Sequence, residues 1–258
     1  MNKLFSLAWV CSCIPAIISG ADLPEGVEKC HYADSTCIIR SINALIKSYP
    51  MGIPEIGLPP LDAYYFPDFS LLESSDRGPI WINFRMRDNV NKGFNNATIT
   101  HVEGFLREPN QKQIVLTARL PRLLHEATYD MEGKFLHFAF NTTGRLSSDH
   151  QNFRITLTIK TLVEYRNGKR YLKIYNLKPK MDLDRWIIWL DDLYKENMDV
   201  TILMNKVLND NWVECWNELQ PSIAELFTTS FTVLLNKVFE NVAYDDMFLN
   251  DLDIRSSN

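Results

Sequence analysis

Two pairs of adjacent carboxylates are the residues whose type is best suited to general acid–base chemistry in this 258-residue sequence. They are Asp191 with Asp192, and Asp245 with Asp246. A catalytic pair must hold two carboxyl groups in defined roles around one substrate. Side chains at adjacent positions are more typical of solvated surface charge, and we favour that interpretation.

The other reactive residue types do not form a recognisable site either. The ten glycines make no phosphate-binding loop, and no Gly-x-Ser-x-Gly motif presents a serine nucleophile. No two histidines have the spacing of a metal pair on a helix, and His137 is interpreted as a structural residue in a strand. The five histidines are His31, His101, His125, His137 and His150. The sequence therefore predicts no catalytic residue, no metal site and no cofactor.

The cysteines indicate an oxidising compartment. Cys30 and Cys37 are close enough to form a local disulfide, which would stabilise the fold by roughly 2–3 kcal/mol. Zinc is the competing interpretation, but no partner pair at metal spacing follows. Cys11 and Cys13 belong to the leader described next, so Cys215 is left as an unpaired thiol, expected to be buried beside two tryptophans.

The first residues have the pattern of a secretory signal peptide. Lys3 is followed by an apolar run at 4–18, which is too short to span a bilayer, and by the small residues Ser19, Gly20 and Ala21. We predict a signal peptide at 1–21 and one secreted domain at 22–258. The net charge of −5 argues against nucleic acid as a partner. No later stretch reaches the ~18 uninterrupted apolar residues of a membrane-spanning segment.

The stretch at 216–244 is the element around which the rest is organised. Pro221 is predicted to open a helix of about 22 residues, roughly 33 Å long. Apolar residues then recur every three or four positions, and a second apolar face indicates a helix that is surrounded. They are Ile223, Leu226, Phe227, Phe231, Leu234, Val238 and Val242, with Val233, Leu235 and Phe239 on the second face. The helix is either plain core or one wall of an apolar cavity.

Residues 80–177 have the pattern of strands. Predicted strands at 80–86, 97–106 and 114–120 are separated by loops at 89–93 and 108–112. The clearest strand is 153–165, whose alternation is typical of an antiparallel sheet with one wet face.

Turn signals place the remaining elements. Asn167-Gly168 is a hairpin signal leading to a strand at 170–177, and Glu132-Gly133 separates two further strand-like runs. Residues 183–194 fit a helix by spacing, although odd-numbered positions also alternate as in an edge strand. Asp199 is interpreted as the N-cap of a further helix.

Several segments in this order resemble the insect takeout and juvenile-hormone-binding proteins. The resemblance covers nearly all of the mature chain. It rests on the Cys30 and Cys37 pair, residues 53–62 (IPEIGLPPLD), 120–123 (LPRL), 129–134 (YDMEGK) and 208–212 (LNDNW), and the helix from Pro221 with Asn236 and Phe239. Two departures matter: Ala243 stands where the family usually has proline, and Cys215 has no later partner. The missing second disulfide favours the takeout-like branch over strict juvenile-hormone carriers.

The resemblance implies an α+β fold in a single elongated domain. A strongly curved antiparallel sheet would wrap the long C-terminal helix, as in one half of the bactericidal/permeability-increasing type of lipid-binding protein. It also implies that 183–190 is a strand. The implied function is a secreted carrier of a small hydrophobic molecule, such as a terpenoid or a fatty-acid-like compound. An extracellular protein that binds a partner or surface, with a vestigial tunnel, is the alternative; an ester hydrolase is the least favoured.

The spacing of apolar residues predicts which side chains line the tunnel. On the helix these are Phe227, Phe231, Leu234 and Val238. The opposing residues are expected among strand-forming aromatics, with the face of 135–140 undecided because both faces are apolar. These are Trp81, Phe84, Phe135, Phe138 and Phe140.

Two acceptor sequons, at Asn96 and Asn141, predict glycosylation on exposed turns. Because secretion would bring both asparagines to the glycosylation machinery, enzymatic deglycosylation of protein made in insect cells should lower its apparent mass. Asn96→Gln and Asn141→Gln should each remove one part of that decrease. An unchanged mass after deglycosylation would show that the triplets are unoccupied.

Overall fold

A computed structural model describes residues 21–249; the side chain of Phe135 is excepted. The predicted signal peptide therefore lies outside the described residues, except for Ala21. The helices are α1 (Ser35–Ser48), α2 (Met198–Asp210) and α3 (Trp212–Asn241). The strands are β1 (Ala63–Tyr65), β2 (Phe69–Leu72), β3 (Ile80–Lys92), β4 (Thr98–Glu103), β5 (Ile114–Phe135), β6 (Phe138–Arg166), β7 (Lys169–Asp182) and β8 (Arg185–Leu190).

Within the described part of the chain, all eight strands form one antiparallel sheet. Its central order is β1-β3-β5-β6-β7, with β2 on β3, β4 on β5 and β8 on β6. The β5–β6 hairpin is paired from Ile114 with Ile159 to Phe135 with Phe138. Strands this long twist and curl, so the sheet acquires a concave face. The predicted α+β fold, a curved antiparallel sheet around a long C-terminal helix, is confirmed.

Helix α3 lies along the concave face and is 30 residues long. Its C-terminal half packs on aromatic rings, with Phe231 next to Phe94 at 5.7 Å between ring centroids and Phe227 next to Phe66 at 5.1 Å. Asn236 Oδ1 accepts a hydrogen bond from the backbone N–H of Ile174 on β7 at 2.8 Å. This half of the helix is therefore held against the sheet by aromatic packing and by this hydrogen bond.

The predicted start of the long helix is wrong. α3 begins at Trp212, and Pro221 lies inside it on the exposed side. A proline in a helix interior loses one backbone hydrogen bond and is normally disfavoured. Here the helix is held by packing on both sides of the proline: Trp216, five residues before it, and Leu226, five residues after it, are both buried. The helix therefore begins nine residues earlier than predicted.

Several strand boundaries also differ from expectation. β3 continues through the predicted loop at 89–93, past a bulge at which Asp88 has a φ of 54°. β5 likewise continues through Glu132 and Gly133, and the chain reverses at Leu136 and His137 instead. His137 is thus exposed in a turn, and the interpretation as a strand residue is wrong. The Asn167-Gly168 hairpin lies where predicted, between β6 and β7.

The residues at 183–194 include strand β8, as the family resemblance implied and against the helical spacing. The buried face is Trp186, Ile188 and Leu190, whereas Ile187 and Trp189 on the odd face are 41% and 39% exposed. The alternation was therefore real, but the odd positions point outward. Periodicity alone did not distinguish the two faces because both are apolar.

The disulfide is confirmed, and the two acidic pairs differ in how exposed they are. Cys30 and Cys37 form the expected disulfide, with Cα atoms 5.7 Å apart, next to the start of α1. Asp245 accepts hydrogen bonds from the Arg170 side chain at 2.6 and 2.9 Å. It is thus held in an ion pair, whereas Asp191 is exposed as expected.

The two sequons differ in their surroundings. Asn96 is exposed and ends a 3₁₀ turn, Phe94–Asn96, as predicted. Asn141 is also exposed but lies within strand β6, not in a turn. Its occupancy stays a prediction, as does that of Asn96.

Helix α2 closes the free edge of β8 with side chains. Thr201, Asn205 and Asn209 recur every four residues and therefore share one face of the helix. Asn205 accepts from the N–H of Leu190 and donates to its carbonyl, both at 2.8 Å. Asn209 does the same for Ile188, at 3.0 and 2.6 Å. The amide groups replace the backbone of a missing neighbouring strand.

Asn205→Ala should lower the free energy of unfolding by about 2–3 kcal/mol, because the buried N–H and C=O of Leu190 would lose their partners. Chemical denaturation of both proteins measures the difference. Asn211→Ala is the matched control: that side chain is exposed and bonds only the Val207 carbonyl, so a change within about 0.5 kcal/mol is expected. Equal losses in the two variants would contradict the assigned role of Asn205.

Candidate apolar cavity

A cavity of about 480 Å³ lies between the concave face of the sheet and the helices. That volume is within the range of small-molecule sites, about 300–1,000 Å³. The sheet side is formed by β2, β3, β5, β6 and β8, and the helix side by α2 and the N-terminal half of α3. Most of the wall is apolar.

Period-2 alternation selects the side chains that face the cavity from each strand. β3 contributes Ile82, Phe84 and Met86, and β8 contributes Trp186, Ile188 and Leu190. β6 contributes Leu146, Ser148 and His150. The intervening residues of the same strands face the convex side of the sheet.

The wall formed by α2 is one side chain thick. Leu203 and Val207 line the cavity although they are 60% and 52% exposed, and Met204 lines it while 40% exposed. Side chains that contact both the cavity and solvent mark the shortest route between them. On this side the cavity comes within one side chain of the solvent.

From α3 the wall receives five side chains, of which only Phe227 is aromatic. They are Cys215, Leu219, Ile223, Leu226 and Phe227. Cys215 is a free thiol, partly buried, and burial raises its pKa. It therefore stays a thiol and contributes an apolar surface to the wall.

Of the eight predicted lining residues whose side chains the structure describes, two lie on this wall. They are Phe84 and Phe227. Phe231, Leu234 and Val238 belong to the core around the C-terminal half of α3. At that end the concave face of the sheet is occupied by the aromatic cluster of Phe66, Phe94 and Phe231.

The other predicted sheet residues also lie away from the cavity. Trp81 is on the convex face with the Arg77 guanidinium 4.8 Å from its ring centroid. Phe138 is 57% exposed near the hairpin tip, and Phe140 packs against Gly133. Phe135 is placed by its backbone alone, paired with Phe138. Contact of any of these residues with a ligand stays a prediction.

Polar residues form a row across the sheet on the cavity side. In the strand register, Asn91 on β3 is opposite His125 on β5, and His125 is opposite Ser148 on β6. His150 lies two residues along β6 and is opposite Trp186 on β8. All five residues line the cavity. Little in the sequence indicates this row, because Asn91 lies in a predicted loop and the histidines are dispersed.

The two histidines are neutral and their tautomers are fixed by hydrogen bonds. His150 Nδ1 donates to the carbonyl of Leu123 at 3.0 Å, and His125 Nε2 donates to Asn89 Oδ1 at 3.1 Å. Burial lowers the pKa of His125 to about 3, with a further contribution from His150. Burial also lowers the pKa of His150 to about 4, against the raising effects of the Leu123 carbonyl and Asp149.

The wall of the cavity carries no Asp, Glu, Lys or Arg among the described residues. Residues 21–249 also contain no group of three or more His, Cys, Asp or Glu side chains placed to hold a metal ion. In the same part of the chain, no helix is long and apolar enough to cross a membrane.

The fold and cavity define a class of α+β proteins in which one curved antiparallel sheet and a long helix enclose an apolar space. A family profile described as haemolymph juvenile hormone binding protein (JHBP) matches residues 5–249. The chain therefore belongs to the haemolymph juvenile hormone binding protein family, and the resemblance predicted from the sequence is confirmed.

Individual relatives are distant. The chain is 23% identical over 248 residues to the circadian clock-controlled protein daywake of Drosophila melanogaster and to that of Drosophila yakuba, covering 94% of this chain and 93% of each relative. The crystal structure of Epiphyas postvittana Takeout 1 matches with a TM-score of 0.72 and 21% identity, covering 85% of this chain and 98% of that chain. This match supports the takeout-like fold.

Stability should fall as the pH falls from about 6.5 to about 4, the interval between the ordinary histidine pKa and the values in the fold. In that interval the unfolded chain binds protons that the folded protein excludes. Each buried histidine contributes up to about 1.4 kcal/mol per pH unit. Thermal melting across this interval measures the slope.

His125→Gln and His150→Gln should each flatten this pH dependence. The control is His137→Gln, since that side chain is exposed in a turn and should leave the slope as in the parent. Carboxylates that protonate in the same interval affect parent and variants alike, so they cancel in the comparison. Parental slopes in both cavity variants would contradict the assignment.

Proposed function

We propose that this protein is a secreted carrier that binds a small lipid-like molecule in the cavity between the sheet and helices α2 and α3. The observation that carries the proposal is the cavity of about 480 Å³ with an almost wholly apolar wall. Transfer of apolar surface from water into such a space gains about 25 cal/mol per Å². No reactive group is needed for that function.

Secretion is part of the proposal. The pattern of the first 21 residues is that of a cleaved leader, and the Cys30–Cys37 disulfide is the kind of bond that persists in an oxidising compartment. Family membership gives independent support, because the profile is described as a haemolymph hormone-binding protein. A terpenoid or a fatty-acid-like chain suits the elongated apolar wall.

The entrance of the proposed carrier is the α2 side. Leu203, Met204 and Val207 separate the cavity from solvent, and a methionine side chain is flexible enough to move aside for an incoming chain. The polar side chains that anchor α2 to β8 lie on a different face of the helix. Uptake therefore requires movement of side chains at the surface, with the helix in place.

Ile223→Trp should reduce affinity for a fluorescent long-chain probe by about tenfold or more, because the larger ring would occupy the cavity. The melting temperature should change little, since the added volume enters existing space. Probe titration and thermal melting on the same preparations give the two readouts. Native mass spectrometry of the gently purified parent should show a retained small molecule.

Phe231→Leu is the matched control, because Phe231 packs in the aromatic core outside the cavity. That variant should lose roughly 1–2 kcal/mol of stability and bind the probe as the parent does. Parental probe affinity in Ile223→Trp, together with no retained molecule, would exclude the cavity as a binding site. The alternative, a partner-binding protein with a vestigial tunnel, would then be favoured.

A further inference from the structure

Asn91 is a buried amide with an unused donor. The residue is 3% exposed, and its Nδ2 has no hydrogen-bond acceptor among the described residues. Trp186 Nε1, on the far side of the same cavity, is the second such donor on the wall. An unpaired buried donor is costly, so native proteins rarely retain one without a reason.

The other buried asparagines show what the fold normally does with this side chain. Asn89, two residues earlier on the same strand, donates to the carbonyls of Pro67 and Met86 at 3.1 and 3.3 Å and accepts from His125. Asn205 bonds both backbone groups of Leu190. Asn91 differs because it lines the cavity, whereas Asn89 and Asn205 do not.

The neighbours of Asn91 define what kind of atom its donor suits. His125 is directly opposite in the register, and Ser148 is next in the row. Both histidines of the wall are neutral, and no Lys or Arg lines the described wall to balance a negative charge. A carboxylate placed there would be a buried and uncompensated charge, which is far more costly than a neutral oxygen.

We propose that Asn91 donates a hydrogen bond to an uncharged oxygen of the ligand, so that the cavity selects neutral oxygenated lipids, such as esters and ketones. An ionised fatty acid is disfavoured because no Lys or Arg of the described wall would balance its carboxylate. A plain hydrocarbon has no oxygen to accept the hydrogen bond of Asn91. The inference rests on the carrier function proposed above. It adds a polar subsite and a ligand class to that function.

The test is competition against a fluorescent probe bound to the full-length secreted protein at pH 7. Three competitors of similar length are compared: methyl dodecanoate, tetradecane and dodecanoic acid. The parent should bind methyl dodecanoate about threefold to tenfold more tightly than tetradecane, the value of one hydrogen bond. It should also bind the ester more tightly than the acid, which is ionised at this pH.

Asn91→Leu should lower the affinity for methyl dodecanoate to that for tetradecane and leave tetradecane bound as in the parent. It should also raise the melting temperature by roughly 2–4 °C, because an unpaired buried amide is removed. Asn89→Leu is the matched control and should instead melt at a lower temperature, since that side chain makes three hydrogen bonds. Asn91→Val replaces the leucine variant if the latter does not fold.

The outcomes separate the two proposals. If the parent binds tetradecane and the ester equally, or if the preference for the ester persists in Asn91→Leu, the polar subsite is wrong while the carrier function stands. Tighter binding of dodecanoate than of the ester also overturns the subsite. If the parent binds neither the probe nor any competitor, the carrier function itself fails, and the subsite with it.

Discussion

The continuous pairing of β5 with β6 is the constraint on which the rest of the structure depends. A hairpin of this length curls, and its concave face has to be filled. Along the C-terminal half of α3 the filling is aromatic, with Phe227 and Phe231 against rings from the sheet side. Along the N-terminal half the helix carries Cys215, Leu219 and Ile223, which are smaller. The cavity lies where these three side chains are too small to fill the curve, while Trp216 in the same half packs beside it against His150 and Trp186.

The sequence predicts the fold, but it does not predict which side chains line the cavity. Spacing and motif order identified the sheet, the long helix and the disulfide. The predicted lining residues of α3 lie mostly in its C-terminal half, whereas the cavity is lined by residues from Cys215 to Phe227; Pro221, interpreted as the start of the helix, lies inside it. The inward faces of β3 and β8 were also hidden. A bulge carries β3 through a loop-like sequence, and β8 is apolar on both faces.

The polar row across the sheet could not be predicted from local sequence patterns. Asn91, His125 and Ser148 are far apart in the sequence, and antiparallel register alone places them side by side. No local spacing encodes that neighbourhood. Its electrostatics also follow from the fold: burial lowers the pKa of both histidines, and the His125 Nε2 proton is used in a hydrogen bond to Asn89 Oδ1. Of the three buried asparagines among the described residues, Asn91 is the one whose side-chain N–H has no acceptor, and it is also the one that lines the cavity.

The way α2 is attached limits how the cavity can open. Moving α2 away as a rigid unit would break the paired hydrogen bonds of Asn205 and Asn209 to the backbone edge of β8 all at once. Each of these bonds contributes a net of about 0.5–1.5 kcal/mol, so their simultaneous loss is costly even where water replaces them. Rotation of Met204 or Leu203 breaks none of these bonds, because both side chains are already partly in solvent. The low-energy route into the cavity therefore passes between the side chains of α2, while the helix stays hydrogen-bonded to β8.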